Sequence, residues 1–383
     1  MVGPTRRDVL LAAVTLPACR SAGADMAEAD LRDAARRSRR FYGAAVQMDR
    51  IAHDPPFGDA VLRECDSLTP ELEMKWAALQ PEPGRFEFTG MDALADFARR
   101  YGRRVYGHTL LWYRSVPNWA GEPIAARDWG VVHRYIEAVM KRYADVVDHW
   151  DVVNEPVEPL DGADGLRRCS LHKAFGPDYI RRALESARAI APRAGLNINE
   201  YGVEYPIPEE EVRRRRLLRL IDELRARGAP LDGVGIQAHL RLDKPPIDQR
   251  QLASFLKELA DRGLSIFVTE LDVREAEYHL PLAERDRKVA DAARAFLDVV
   301  LDQPAVRGIT TWGLSDRYSW LNHDGESGAG KPGGNRGLPL DRALRPKPLH
   351  AAMAKLLRDA PSAQALQRTS ASEPFRITEE LTA

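Results

Sequence analysis

Short apolar runs alternate with longer amphipathic ones along the chain. Eight short runs carry β-branched and aromatic residues: 43–48 (GAAVQM), 66–71 (DSLTPE), 103–109 (RRVYGHT), 149–155 (HWDVVNE), 196–201 (LNINEY), 232–239 (DGVGIQAH), 265–271 (SIFVTEL) and 308–313 (GITTWG). Their composition and spacing predict strands. Between them lie stretches such as MDALADFARRYG, VHRYIEAVMKRYADVV and QLASFLKELADRG. Apolar residues there recur every three or four positions, which predicts helices. Gly102, Gly228 and Gly263 close three of these runs in the place of a C-terminal cap. Strand and helix in repeated alternation predict an α/β fold, a single (β/α)8 TIM barrel. A doubly wound open sheet is the alternative, but no GxGxxG follows the first strand.

In such a barrel the functional residues sit at the C-terminal ends of the strands. Glu155 and Glu270 end the fourth and seventh predicted strands. The same rule gathers Glu71, Lys75, His108, Gln237, His239 and Trp312. Taken singly, each has an ordinary role as a salt bridge, a satisfied core histidine or core packing. Taken together, they line one concave face. Two carboxylates across a cleft suit glycosidic-bond hydrolysis, which needs one protonated and one ionised at the same pH. Asn154 stands beside Glu155 with an amide for a sugar hydroxyl, and Pro156 stops the strand. His239 is a candidate donor to Glu270. Trp112, Trp312 and Trp320 offer flat faces for pyranose rings.

Composition narrows the partners. The 383 residues carry 56 basic and 57 acidic side chains, a net charge of -1, which gives no electrostatic case for nucleic acid. RRRRLLRL (213–220) follows three glutamates and has leucines at helical spacing, so it reads as a solvated helix face. GESGAGK lacks the Ser or Thr that a phosphate loop needs, with Pro332 in its place. There is no CxxC, HExxH or His-x-His, so no structural zinc is expected. Cys65 and Cys169 are either a disulfide or two free thiols.

Residues 1–24 read as an export signal. Arg6 and Arg7 precede a short apolar run over 9–16, a twin-arginine pattern. LPAC places Cys19 for lipoprotein cleavage and acylation, and cleavage after Ala24 is the alternative. A periplasmic, outer-membrane-anchored or secreted bacterial protein follows, with membrane contact only through a lipid on Cys19. Residues 25–360 form the barrel and 361–383 a loose tail.

Six segments, in order, resemble glycoside hydrolase family 10, the retaining endo-β-1,4-xylanases: SLTPELEMKW, GHTLLWYRSVPNW, WDVVNEP, GVGIQAHL, VTELDV and TTWGLSDRYSW. The resemblance runs from about residue 30 to about 356. It implies a (β/α)8 barrel, a xylan substrate and no metal or organic cofactor; a monomer is expected. It implies that Glu155 is the acid and then the base, and that Glu270 is the nucleophile. Asn154 would hold the sugar 2-hydroxyl. His108, Lys75 and Trp312 would line the glycone side. Gln237 and His239 would orient the nucleophile, with Glu71 and Trp320 at the next sugar and Tyr201 as a leaving-group-side platform. Retention implies carboxyl groups about 5–5.5 Å apart, against roughly 6.5–9.5 Å for inversion. Leu72 departs from the family's asparagine and Tyr113 from its histidine, both expected around the glycone side; Glu200 and Gly202 depart from an aspartate and an asparagine. These departures leave open a different or decorated β-glycan, an aryl-glycoside, or a non-catalytic carbohydrate-binding barrel.

Overall fold

The computed structural model describes residues 30–323 and 328–364. The export signal with Cys19, part of the glycine-rich loop, and the tail beyond 364 lie outside the described residues. All nine strands among the described residues are parallel: β1 (Phe41–Val46), β2 (Ser67–Pro70), β3 (Arg104–Trp112), β4 (Val147–Asn154), β5 (Gly195–Glu200), β6 (Gly233–Ile236), β7 (His239–Arg241), β8 (Ser265–Arg274) and β9 (Val306–Thr311). Pairing runs in chain order from β1 to β6, then β6 to β8, β8 to β9 and β9 back to β1. That is a closed eight-stave barrel with helices between the staves.

The ninth strand arises because the sixth predicted strand breaks. Gln237 and Ala238 leave the ladder, and Ala238 sits at φ 60°. β7 then pairs with β8 further along, His239 opposite Asp272. The break points two polar side chains into the barrel mouth. Strands such as β1 and β2 are buried along their whole length, as staves with a helix on one face and barrel interior on the other must be. Gly102, Gly228 and Gly263 adopt φ 60°, 71° and 73°, the helix-capping geometry the sequence implies.

The interior grades from apolar to polar along the strands. At the N-terminal end Phe41, Tyr106 and Phe267 form their own cluster, with ring centroids 6.2 and 5.6 Å apart. One layer up, the Tyr106 hydroxyl donates to Asp151 at 2.9 Å and accepts from Asn197 at 2.8 Å. The carboxylates and amides of the rim come above that. Cys65 is buried and Cys169 half-buried, and both are free thiols. Residues 361–364 are tied to the barrel: Arg40 donates to Pro361 O at 2.7 Å, and Ala363 N bonds Ser38 O at 2.9 Å. The arginine run on the helix Pro208–Ala226 is not wholly a solvated face. Arg213 and Arg214 turn inward and are buried, because backbone carbonyls of the neighbouring loops accept from them.

Candidate active site

Glu155 follows β4 directly. Its backbone is in the left-handed region at φ 55°, which costs a non-glycine residue about 1–2 kcal/mol. Its amide donates to Asn199 O at 2.8 Å, and Arg167 Nε donates to its carbonyl at 2.8 Å, so the conformation is held from both sides. The carboxylate Oε1 accepts from Gln237 Nε2 at 3.3 Å and from Asn154 Nδ2 at 3.4 Å.

Glu270 does not end its strand: β8 continues to Arg274. Instead the register with β9 slips between Val268 and Leu271. Similar slips follow His108 in β3 and Asp151 in β4. Such irregularities re-aim side chains without ending the ladder. They bring residues from mid-strand to the same mouth as those at strand ends.

Glu270 meets two donors. Asn199 Nδ2 reaches Oε1 at 2.7 Å, and His239 Nε2 lies 3.2 Å from Oε2. Asn199 is fully buried on β5. It also donates to Asn154 Oδ1 at 2.9 Å and accepts from Thr269 Oγ1 at 2.7 Å. One amide therefore links the surroundings of both glutamates. An asparagine on a strand near the rim is the first sign of this in the sequence. A second signal lies opposite it: a Cβ on Gly235 would stand 2.1 Å from Asn199 Oδ1, so only glycine leaves room.

Asp272 also escaped the sequence reading. It accepts from His239 Nδ1 at 2.9 Å and from Trp320 Nε1 at 2.7 Å. Burial by itself pulls the His239 pKa down, but the Asp272 charge and hydrogen bond, joined by Glu270, outweigh it and hold the imidazole well above its ordinary value. His239 is thus a charged bridge with both ring nitrogens donating. His108 is the opposite case. Burial drives it well below the ordinary histidine range, with Lys75 and His239 adding to the effect. Its Nδ1 lies 2.8 Å from Asp151, whose own pKa burial pushes well up. Burial thus disfavours the charged form of each.

Lys75 is 8% exposed, and its Nζ has no hydrogen-bond partner among the described residues. The ammonium stands 5.7 Å from the Trp112 ring centroid and 5.5 Å from that of Trp312. Burial lowers its pKa to about 8, against the pull of Glu270, Glu71 and Asp151. Burial likewise raises Glu71, while Arg50, Gln47 and Lys75 oppose it. Trp112, Trp312 and Trp320 are all half-buried, which leaves part of each ring open for stacking. Leu72 is 54% exposed at the rim beside Glu71.

Two expectations change. Tyr113 meets the glycone group at Trp112, whose ring centroid is 6.1 Å from its own and 5.7 Å from the Lys75 ammonium, but it also reaches the other side. Its ring carries Arg167 at 4.3 Å, and Arg167 donates to the Tyr201 hydroxyl at 3.1 Å, which puts Tyr113 on the Glu155 and Tyr201 side as well. Tyr201 is less open than a free platform, because Arg213 stands 4.3 Å from its ring centroid. A recess of about 1190 Å³ opens at the N-terminal end of the strands, lined by Arg36, Arg40, Phe41, Arg104 and His149, and lacks every rim residue named above.

The chain compares closely with proteins of one family. The model for glycosyl hydrolase family 10 matches residues 30–356. Endo-1,4-beta-xylanase B of Thermotoga neapolitana is 31% identical over 309 residues, covering 78% of this chain and 82% of that protein. Endo-1,4-beta-xylanase 1 of Humicola insolens is 32% identical over 333 residues, covering 83% and 72%. Native xylanase 10B from Thermotoga maritima superposes with a TM-score of 0.76 at 29% identity, covering 86% of this chain and 98% of that one. The xylobiose complex of xylanase 10B from Thermotoga petrophila RKU-1 gives 0.77 at 29% identity, covering 86% and 97%. Fold, rim and a family match over nearly the whole described chain lead to one conclusion: this chain belongs to glycosyl hydrolase family 10.

Proposed function

We propose that this chain is an endo-β-1,4-xylanase that cleaves internal xylan bonds with retention, through Glu155 and Glu270. The observation that supports these roles is the shared hydrogen-bond network. Asn199 reaches Glu270 and Asn154, and Asn154 and Gln237 reach Glu155. Two carboxylates from distant parts of the chain thus face one cleft through common donors.

In the first step the Glu155 carboxyl gives its proton to the glycosidic oxygen. That bond breaks as Glu270 attacks the anomeric carbon and forms a glycosyl ester. In the second step the Glu155 carboxylate takes a proton from water. The hydroxide adds to the anomeric carbon, and Glu270 leaves as carboxylate. The donors at its two oxygens stabilise that carboxylate and fix its orientation. His239 remains charged because Asp272 holds it so. Asn154 offers its amide to the 2-hydroxyl. Lys75, His108 and Trp312 line the glycone side, Glu71 and Trp320 the next sugar, and Trp112 and Tyr201 the neighbouring walls. The same reading takes the chain as exported, on the adjacent Arg6 and Arg7 and the apolar run after them, and as a monomer.

Azide rescue tests the roles. With an activated β-xyloside, Glu155→Ala plus azide yields the β-glycosyl azide, because the ester forms and azide replaces water. Glu270→Ala plus azide yields the α-azide, because azide takes the nucleophile's place. The opposite pairing overturns the assignment. Xylohexaose and cellohexaose test the substrate: cleavage of cellohexaose alone moves the enzyme to a glucan.

A further inference from the structure

Beyond Glu155 the cleft wall is rich in arginine. Trp112, the last residue of β3, lies in register with Asn154, so the residues after it stand beside the β4 end. Arg114 is the second of them and is exposed. Its Nε donates to the Tyr113 hydroxyl at 2.8 Å, and its guanidinium stands 5.5 Å from the Tyr113 ring centroid. It is close enough to the cleft that the charges of Glu155 and Arg167 both act on it.

The neighbouring arginines are spoken for. Arg167 lies 3.4 Å from Glu158 and donates to Glu155 O and the Tyr201 hydroxyl. Arg213 lies 3.5 Å from both Glu158 and Glu200. Arg114 makes no ion pair among the described residues, and its one hydrogen bond occupies Nε. Both terminal nitrogens stay open, and the phenol fixes the plane of the fork. A planar guanidinium with free terminal nitrogens suits a carboxylate. Holding it in place beforehand lowers the ordering cost of binding. An unbranched xylose backbone carries no charge for it to recognise.

We infer that Arg114 binds a carboxylate on a sugar branch of the xylan chain, which makes the Glu155 wall selective for uronic-acid-branched substrate. This rests on the hydrolytic reading above. At an exposed rim the preference amounts to about tenfold in kcat/KM and weakens with salt.

The test uses three xylo-oligosaccharides of one backbone length: unbranched, bearing one glucuronic acid branch, and bearing the same branch with its carboxylate reduced to an alcohol. The readout is the ratio of kcat/KM for the acid branch to that for the reduced branch. The wild-type ratio is about ten at low salt and falls as salt rises. Arg114→Gln brings it to about one, and Arg114→Lys keeps part of it. A wild-type ratio near one, with the unbranched substrate still cleaved, overturns this inference and leaves the xylanase reading intact. An undiminished ratio in Arg114→Gln assigns the selectivity elsewhere and also overturns it. Failure to cleave all three overturns the hydrolytic reading itself.

Discussion

Lys75→Met is expected to stabilise this enzyme while impairing it. The wild-type ammonium is buried between two tryptophan rings with no hydrogen-bond partner among the described residues. Burial takes its pKa from the ordinary 10.5 to about 8, even with Glu270, Glu71, Asp151 and Glu73 pulling the other way. At about 1.4 kcal/mol per tenfold change in proton affinity, keeping it charged at pH 7 costs roughly 3 kcal/mol. Methionine has a similar length, no charge, and packs well against aromatic rings. It removes most of that cost and also some attraction for Glu270 and Glu71, so we expect a gain of about 2 kcal/mol. For a chain of this size that is a rise in Tm of about 4 °C. The folded pKa lies below the unfolded one, so the wild-type penalty is fully present below pH 8 and relieved as pH rises toward 10.5. The gap between variant and wild type should therefore be widest at pH 7 and close by about pH 10. Thermal melts of both proteins across that range measure it, and kcat/KM on xylohexaose should fall at least about tenfold with the lost donor. A Tm at or below wild type at pH 7, or a gap that widens with pH, would refute the reasoning.

Two more predictions concern residues the sequence did not single out. Asn199→Ala removes a donor from Glu270 and another from Asn154; a bond to a charged group is worth about 1.5–3 kcal/mol, so kcat/KM falls about 10- to 150-fold. Single-turnover rates on xylohexaose check this, and a loss under threefold would remove Asn199 from the positioning network. Asp272→Asn takes away the charge that raises His239. The His239 titration, followed by NMR, should move toward lower pH, and the alkaline limb of kcat/KM should move with it. The raised pKa contributes stability that is present below about 6.5 and lost as pH rises through the folded value, so the variant loses that dependence. An unmoved His239 titration would show that Glu270, not Asp272, sets it.

What the sequence revealed and what it hid have separate physical causes. Periodicity is a local signal, and it found all eight staves because a barrel strand is buried along its length and its flanking helix is not. The strand-end rule is also local, and it placed Glu155 and Gln237 near the rim. It missed the slips. Glu270 lies four residues inside β8, and it reaches the mouth because the β8–β9 register shifts around it. Register is a property of two strands, so one strand's sequence does not carry it. Asn199 and Asp272 were invisible for the same reason. Each acts by bridging side chains 33 to 71 residues away, and each looks alone like an ordinary polar residue near a strand end. Tyr113 shows the limit from the other side. As a departure from a family pattern it is visible in the sequence, but its contacts are not. A histidine-to-tyrosine change at a rim does not say which way the larger ring turns. Arg167 decides that, through a cation–π contact from a loop 54 positions later. Specificity at this cleft thus rests on the pairing of loops, and Arg114 and Tyr113 are where to change it without touching either glutamate.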